Sequence, residues 1–248
     1  MAGVIVPLEV ARLKAVLSYP HFSDAHYEAV LEDLRALGAE GIALAGDLEV
    51  GDARLIGKGC TAVVCLGVIR GRQVALKIRR SDSSRESLEG EASNLEFANS
   101  FGVGPKLYCA RRNAIAMEHI RGQNFARWLE GGPRTDAVRR AVLDVLGQCL
   151  SLDLHGLDHG ELSDAKKHII ISEAGRAYII DFESASRSRK CRNLTSVVSY
   201  LFFKESVSRL LMAHIAWDRK TLAEIMKGYK AAPSDRLLEA LTSHLKLY

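Results

Sequence analysis

Apolar positions over residues 1–50 recur at helical spacing. Val10, Leu13 and Leu17, then Tyr27, Val30, Leu31 and Leu34, predict two amphipathic helices, with Ser23 and Asp24 placed to cap the second. Gly41–Leu44 reads as a short strand. From Ala53 the pattern shortens to strand period. Ala53–Ile56, the Gly57-Lys58-Gly59 tip with Cys60–Val64, Val68–Arg70, a Gly71-Arg72 turn and Val74–Ile78 predict a hairpin and a third strand. Ser83 to Glu86 has the capping-box form, which places a helix start there with Leu88, Ala92 and Leu95 as its buried stripe. Gly102 and Gly104-Pro105 end it.

Strands are expected again at Lys106–Cys109 and Ala114–Met117. Past residue 118 the chain turns helical, over Phe125–Leu129 and Asp136–His155. The second helix offers Ala137, Ala141, Val142, Val145, Leu146, Cys149, Leu150 and Leu154 as its core face. One apolar hairpin interrupts the helical half: His168–Ile171, a turn at Glu173–Arg176, and Ala177–Ile180. Beyond Val197 the pattern is helical and amphipathic, with Leu237, Leu238, Leu241 and Leu245 in one stripe. Three parts follow: a helical extension over 1–50, a strand-rich lobe over 51–118 and a helical lobe over 119–248.

Composition narrows the class without naming a function. The chain of 248 residues is 48% hydrophobic and 26% charged, ordinary for a folded globular protein. A net charge of +4 suits an anionic ligand and is too mild to imply nucleic acid. A winged-helix reading of residues 1–50 has two helices in its favour, but lacks a basic recognition helix. The five cysteines include no Cys-x-x-Cys pair, and a cytoplasmic protein with reduced, mostly core thiols is expected. Lys204, Glu205 and Arg209 interrupt the most apolar late stretch, which argues against a membrane span.

Chemistry gathers at a few positions. Lys77 sits inside an apolar strand, where a desolvated ammonium requires a partner. Glu91 lies at the edge of the Leu88–Leu95 stripe, nearer the buried face than Glu89 or Glu96, and is the expected partner. Gly57 and Gly59 allow backbone N–H groups to approach an anion. At the hairpin, His159 and Glu161 precede the first strand, His168 opens it and Asp181 ends the second. Acids and a His at both ends of one rigid apolar unit suit a metal–phosphate site.

In this order the motifs resemble the protein-kinase-like fold over roughly residues 53–217. Gly57-x-Gly59-x-x-Ala62-x-Val64 looks like the glycine loop with Ala at its third glycine, and Val74-Ala75-Leu76-Lys77 looks like the V-A-I-K strand. His159-Gly160-Glu161-Leu162 is similar to the H-G-D-L loop, and Ile180-Asp181-Phe182-Glu183 stands where D-F-G would. The chain is thereby similar to the archaeal predicted serine/threonine kinases related to the RIO-type atypical group. The resemblance implies a bilobal α+β fold. It also implies ATP as ligand with Mg²⁺, or Mn²⁺, and transfer to Ser/Thr of a protein, itself included. Lys77 would hold phosphates and Glu91 would orient it. Ala62, Val64 and Ala75 would line the nucleotide, with Met117 as gatekeeper and Glu118 and Ile120 as hinge. Glu161 would be the base, and Asp181 with His168 the metal ligands.

The departures from the family pattern are specific. Glu161 replaces an Asp, with Asp158 and Asp164 as neighbouring alternatives. His168 stands where an asparagine ligand belongs, either as a ligand itself or as a hydrogen-bonded loop residue, after an inserted Lys166-Lys167. Glu183 replaces the glycine, as in choline- and aminoglycoside-type small-molecule kinases, and no A-P-E triplet follows. The serine- and arginine-rich cluster from Ser184 to Arg192 offers contacts to an acidic substrate or to the γ-phosphate, or serines for autophosphorylation, or is a solvated basic loop. Two rival expectations follow: a small-molecule kinase, and a non-catalytic ATP-binding scaffold.

Overall fold

The computed structural model describes residues 5–43, 45–50, 53–231 and 234–248. Leu44 of the expected strand and residue 51 of the expected boundary lie outside them. The protein is a mixed α+β chain with antiparallel sheets. It divides into two compact units. The first comprises Met1–Glu96 with Lys106–His119, the second Phe97–Pro105 with Ile120–Tyr248.

The first unit is built on one sheet. In chain order its elements are β1 (Ile5–Pro7), α1 (Lys14–Leu17), α2 (Asp24–Ala36), β2 (Ala39–Ala43), β3 (Leu48–Val50), β4 (Ala53–Leu55) and β5 (Gly57–Lys58). These are followed by β6 (Ala62–Ile69), β7 (Arg72–Arg79), α3 (Glu89–Asn99), β8 (Leu107–Ala110) and β9 (Ala114–Met117). The strand order is β1-β2-β6-β7-β9-β8, with β5 also on β6, and β3 and β4 form a separate hairpin. Side chains of β7 alternate between the faces. Val74, Leu76 and Ile78 join Val63 and Cys65 in a core with Tyr27, Val30, Leu31 and Leu34 of α2. The other face carries Ala62 and Ile115, packed with Leu88 and Ala92 near and on α3.

Residues 5–50 thus supply more than helices. β1 and β2 extend the sheet, and α2 covers one side of it. Polar contacts fix α2 in place. Asp33 accepts from both the backbone and the side-chain N–H of Asn113, and His26 lies 3.0 Å from the Arg79 carbonyl. Ser23 caps α2, accepting from the His26 N–H. The expected helix start at Ser83 is corrected. The Ser83 hydroxyl accepts from the Arg85 N–H in a local turn, and α3 begins at Glu89, whose N–H is taken by Ser87. Leu88, Ala92 and Leu95 are nonetheless the buried stripe.

The second unit holds β10 (Gly122–Asn124), α4 (Phe125–Glu130), α5 (Thr135–Leu154), β11 (Ile169–Ser172), β12 (Ala177–Ile179), α6 (Asn193–Phe202), α7 (Glu205–Leu211), α8 (Arg219–Ala231) and α9 (Asp235–His244). β10, β11 and β12 form an antiparallel sheet in that order. On α5 the core face is shifted from the expected one at both ends. Val138 and Leu152 are buried, Ala137 is half-buried and Leu154 is 51% exposed. A 3.6-residue period drifts across a helix of this length, so a stripe fixed at its middle is displaced at its ends. Among the described residues no helix is long and apolar enough to cross a membrane.

Candidate functional site

Lys77 is in the middle of β7, opposite Val64 on one side and Ile115 on the other. The strand alternation points it to the α3 side of the sheet. There its Nζ donates to Oε1 of Glu91 at 2.7 Å. Both side chains are almost fully buried, at 7% and 5% exposure. Glu91 is in the first turn of α3, between Leu88 and Ala92 of its buried stripe, so the helix that packs on the sheet carries the acid to the lysine. An ammonium–carboxylate pair kept this dry in a β-sheet layer is costly to desolvate, and apolar residues would fill the space at least as stably.

The glycine hairpin lies along the same sheet. Gly57 and Lys58 pair with Val64 and Val63, and Gly59 N–H closes the tip on the Ala62 carbonyl at 2.9 Å. A Cβ on Gly57 would sit 3.3 Å from Val64 Cβ, so the glycine keeps the two strands in close register. Ala62 and Ala75 are buried, Val64 and Met117 half-buried, and Met117 pairs with Ala75 across the sheet. Glu118 has its N–H bonded to the Lys106 carbonyl, which leaves its carbonyl as the hinge group it has to offer. Ile120, the other expected hinge residue, opens the next stretch of the second unit.

In the second unit the β11–β12 hairpin brings three expected residues together. A short 3-10 stretch, Leu162–Lys167, leads from Glu161 to His168 and into β11. His168 Nε2 lies 3.1 Å from Glu161 Oε2, and its Nδ1 lies 3.8 Å from Asp181 Oδ2. One donor atom from each residue falls within 4.8 Å of the others. Ser184 Oγ donates to the second Glu161 oxygen at 2.9 Å. The Asp181 backbone is left-handed, at φ 71°, a region that few non-glycine residues occupy and that Asp tolerates best. Asp164 is drawn off to Lys204, and Asp158 to Arg189, so neither alternative acid joins the group. Lys166 and Lys167 are exposed.

His159 lies fully buried beneath this group. Its ring is edge-on to Phe182 and to His168, and its Nε2 is 3.0 Å from the Ile180 carbonyl. Burial pushes its imidazole down to about 4, against the opposing pull of the Ile180 carbonyl. The ring is therefore neutral at ordinary pH, and its Nε2–H donates to that carbonyl.

The supports of the loop went unread in the sequence. Asn193, at the start of α6, accepts from the His159 N–H through Oδ1 and donates to the Leu157 carbonyl and to Asp153. Asp153 in turn accepts from the N–H groups of Asn193 and Leu194 and from the Tyr229 hydroxyl. On the other side of the hairpin, Asp144 and Gln148 of α5 bond the free edge of β12 at Ala177 and Ile179. A signal existed: Asp144, Gln148 and Asp153 break an otherwise apolar helix face. Polar residues in such a face imply buried partners.

Residues matching a divalent cation are thus present. Glu161, His168 and Asp181 offer two oxygens and one nitrogen, and His168 Nδ1 is buried without a hydrogen-bond partner among the described residues. An imidazole in the set suits Mn²⁺ better than Mg²⁺. Comparison with family models returned no match. An uncharacterized protein of Methanocaldococcus jannaschii is 29% identical over 117 residues, which is 46% of this chain and 98% of the relative.

Proposed function

We propose that the chain is an ATP-dependent phosphotransferase of bilobal protein-kinase-like fold, acting on serine or threonine of a protein acceptor. The observation that carries the reading is the buried Lys77–Glu91 pair, a charge placed in a β-sheet layer where stability gains little from it. Such a lysine is accounted for if its ammonium binds the phosphates of a nucleotide and Glu91 fixes its position.

The second unit carries the other candidate groups. Asp181 and His168 would hold the divalent cation, which when bound neutralises charge developing on the phosphates. Glu161, fixed by Ser184 and neighbouring His168, accepts the proton of the acceptor hydroxyl. The left-handed backbone at Asp181 and the bond of His159 to the neighbouring Ile180 carbonyl fix the backbone that carries this carboxylate, which preorganises the site. Free cysteines, with Cys65 and Cys149 buried, suit the reducing cytoplasm.

Transfer of label from [γ-³²P]ATP to protein is the test, in Mg²⁺ and in Mn²⁺. Asp181→Asn, and Lys77→Met combined with Glu91→Met so that no unpaired charge stays buried, are each expected to lower it by at least a hundredfold while the fold is retained. Wild-type rates in both variants would overturn the assignment. Glu183, in place of a glycine, favours one other outcome, label confined to a soluble small product, which would make the chain a small-molecule kinase. Nucleotide binding with no turnover in either metal would make it a scaffold.

A further inference from the structure

The second unit contains an open cleft of about 500 Å³ that the chemistry above does not use. It is lined by Asp158, Gly160, Leu162 and Ser163 together with Arg189, Lys190, Arg192, Asn193 and Ser196. Glu161 is absent from the lining, but both of its chain neighbours belong to it. The cleft therefore opens beside the proposed base.

The charge in this cleft is unbalanced. Asp158 is the one acid in the lining, and it is already used: Oδ2 accepts from Arg189 Nε at 3.0 Å and Oδ1 from the Arg192 backbone N–H at 3.2 Å. Arg189 is fixed further by the Ser184 carbonyl, which accepts from its Nη2 at 2.6 Å. Its Nη1 has no such acceptor, and neither the Lys190 ammonium nor the Arg192 guanidinium has a carboxylate within ion-pair distance among the described residues. Three cations against one spent carboxylate leave a surplus of positive charge in a concave site, with the Ser163 and Ser196 hydroxyls beside it. No aromatic side chain lines the cleft, so it offers nothing on which a nucleic-acid base can stack. Three cations in one lining suit an oxyanion group.

From this we infer that the cleft receives a doubly charged oxyanion group, a phosphomonoester or a pair of carboxylates, on a peptide segment of the acceptor. That the peptide is an acceptor rests on the phosphotransferase reading; the anion site does not depend on it. Arg189 is held in place as one fixed donor, and Lys190 and Arg192 supply two further cations.

Fluorescence anisotropy tests this with three labelled peptides of one sequence, carrying serine, phosphoserine or two glutamates beside a target serine. The full chain is expected to bind the phosphoserine peptide at least tenfold more tightly than the serine peptide. That preference is lost in Lys190→Gln/Arg192→Gln and kept in Lys227→Gln/Lys230→Gln, which removes the same charge from exposed positions of α8. Thermal melting checks that each variant is folded. Binding of the diglutamate peptide as tight as that of the phosphopeptide identifies acidic segments as the source; weak binding identifies phosphorylated ones. Equal affinity for all three peptides overturns the inference, as does loss of the preference in the α8 variant. If the preference stands while no phosphoryl transfer is found with any peptide, the transferase reading fails alone.

Discussion

Lys77 and Glu91 allow the reasoning behind the site to be tested apart from any assay of function. At 7% and 5% exposure, both charges are in a dry layer between β7 and α3. Lys77→Met keeps the length of the stem and removes the ammonium, so little cavity is created and the main effect is electrostatic. Removing one partner of such a pair costs about 3–5 kcal/mol. Glu91→Met removes the other partner and should cost a similar amount. Lys77→Met/Glu91→Met replaces the pair by two flexible apolar side chains, and should return to within about 1 kcal/mol of wild type. The coupling in this double-mutant cycle is then at least ~5 kcal/mol.

The choice of probe matters. Trp128 and Trp217 both lie in the second unit, so tryptophan fluorescence is blind to the first. Native-state hydrogen exchange of peptides covering Val74–Arg79 and Glu89–Leu95 reads the right place. Each single variant should raise the opening equilibrium there by roughly two to four orders of magnitude, and the double variant by less than tenfold. Additive effects, or single variants costing less than about 1 kcal/mol, would refute the claim that this pair is buried and mutually dependent. The double variant also separates fold from chemistry. It is expected to be as stable as wild type and to transfer no phosphate.

Gly160 is left-handed at φ 91°, and a Cβ there would meet Arg189 Nη2 at 2.5 Å and the Ser184 carbonyl at 2.9 Å; Gly160→Ala should cost about 2 kcal/mol or more by urea unfolding. Burial raises the Asp153 carboxyl above its usual range, against the hydrogen bonds from Leu194, Tyr229 and Asn193. Its folded form takes up a proton at higher pH than the unfolded chain, so that stabilisation is full below about pH 3.8 and is lost as pH rises through the folded value. Asp153→Asn should flatten that part of the stability profile, while costing about 2–4 kcal/mol because an amide NH₂ must face donors. In thermal shift assays Mn²⁺ should raise Tm more than Mg²⁺, Asp181→Asn should abolish both shifts, and His168→Asn should remove only the Mn²⁺ advantage; equal shifts in wild type would count against His168 as a ligand.

What could be read in the sequence follows from how each residue acts. Lys77 and Glu91 were legible because burying a charge is costly, and one strand and one helix stripe left a single acid facing the lysine. Glu161, His168 and Asp181 were legible because they bound an apolar hairpin whose register is set by strong alternation, Ile169, Ile171, Ala177 and Ile179 facing inward. The start of α3 was misplaced because two serines compete for one role. Ser83 has the capping pattern, but its hydroxyl closes a turn two residues on, and the choice between the two depends on where the chain enters from β7. Sequence periodicity carries no such information.

The supports of the loop were hidden for a different reason. Asn193 follows a basic run and looks like a surface residue, yet it is 1% exposed and bonds His159, Leu157 and Asp153 at once. Its partners lie far away in sequence and come together only when α5 and α6 pack. Each is polar, and each is unremarkable alone. A charge buried by its own element can be seen in one segment of sequence, whereas a polar network has to be closed by several elements before any member has a reason to be there. The catalytic candidates are of the first kind and the residues that hold them are of the second. Substitutions in the network, Asn193→Ala above all, should therefore displace the His159–Glu161 backbone without touching any residue assigned to the chemistry, lowering transfer while ATP-dependent protection of the first unit persists in hydrogen exchange.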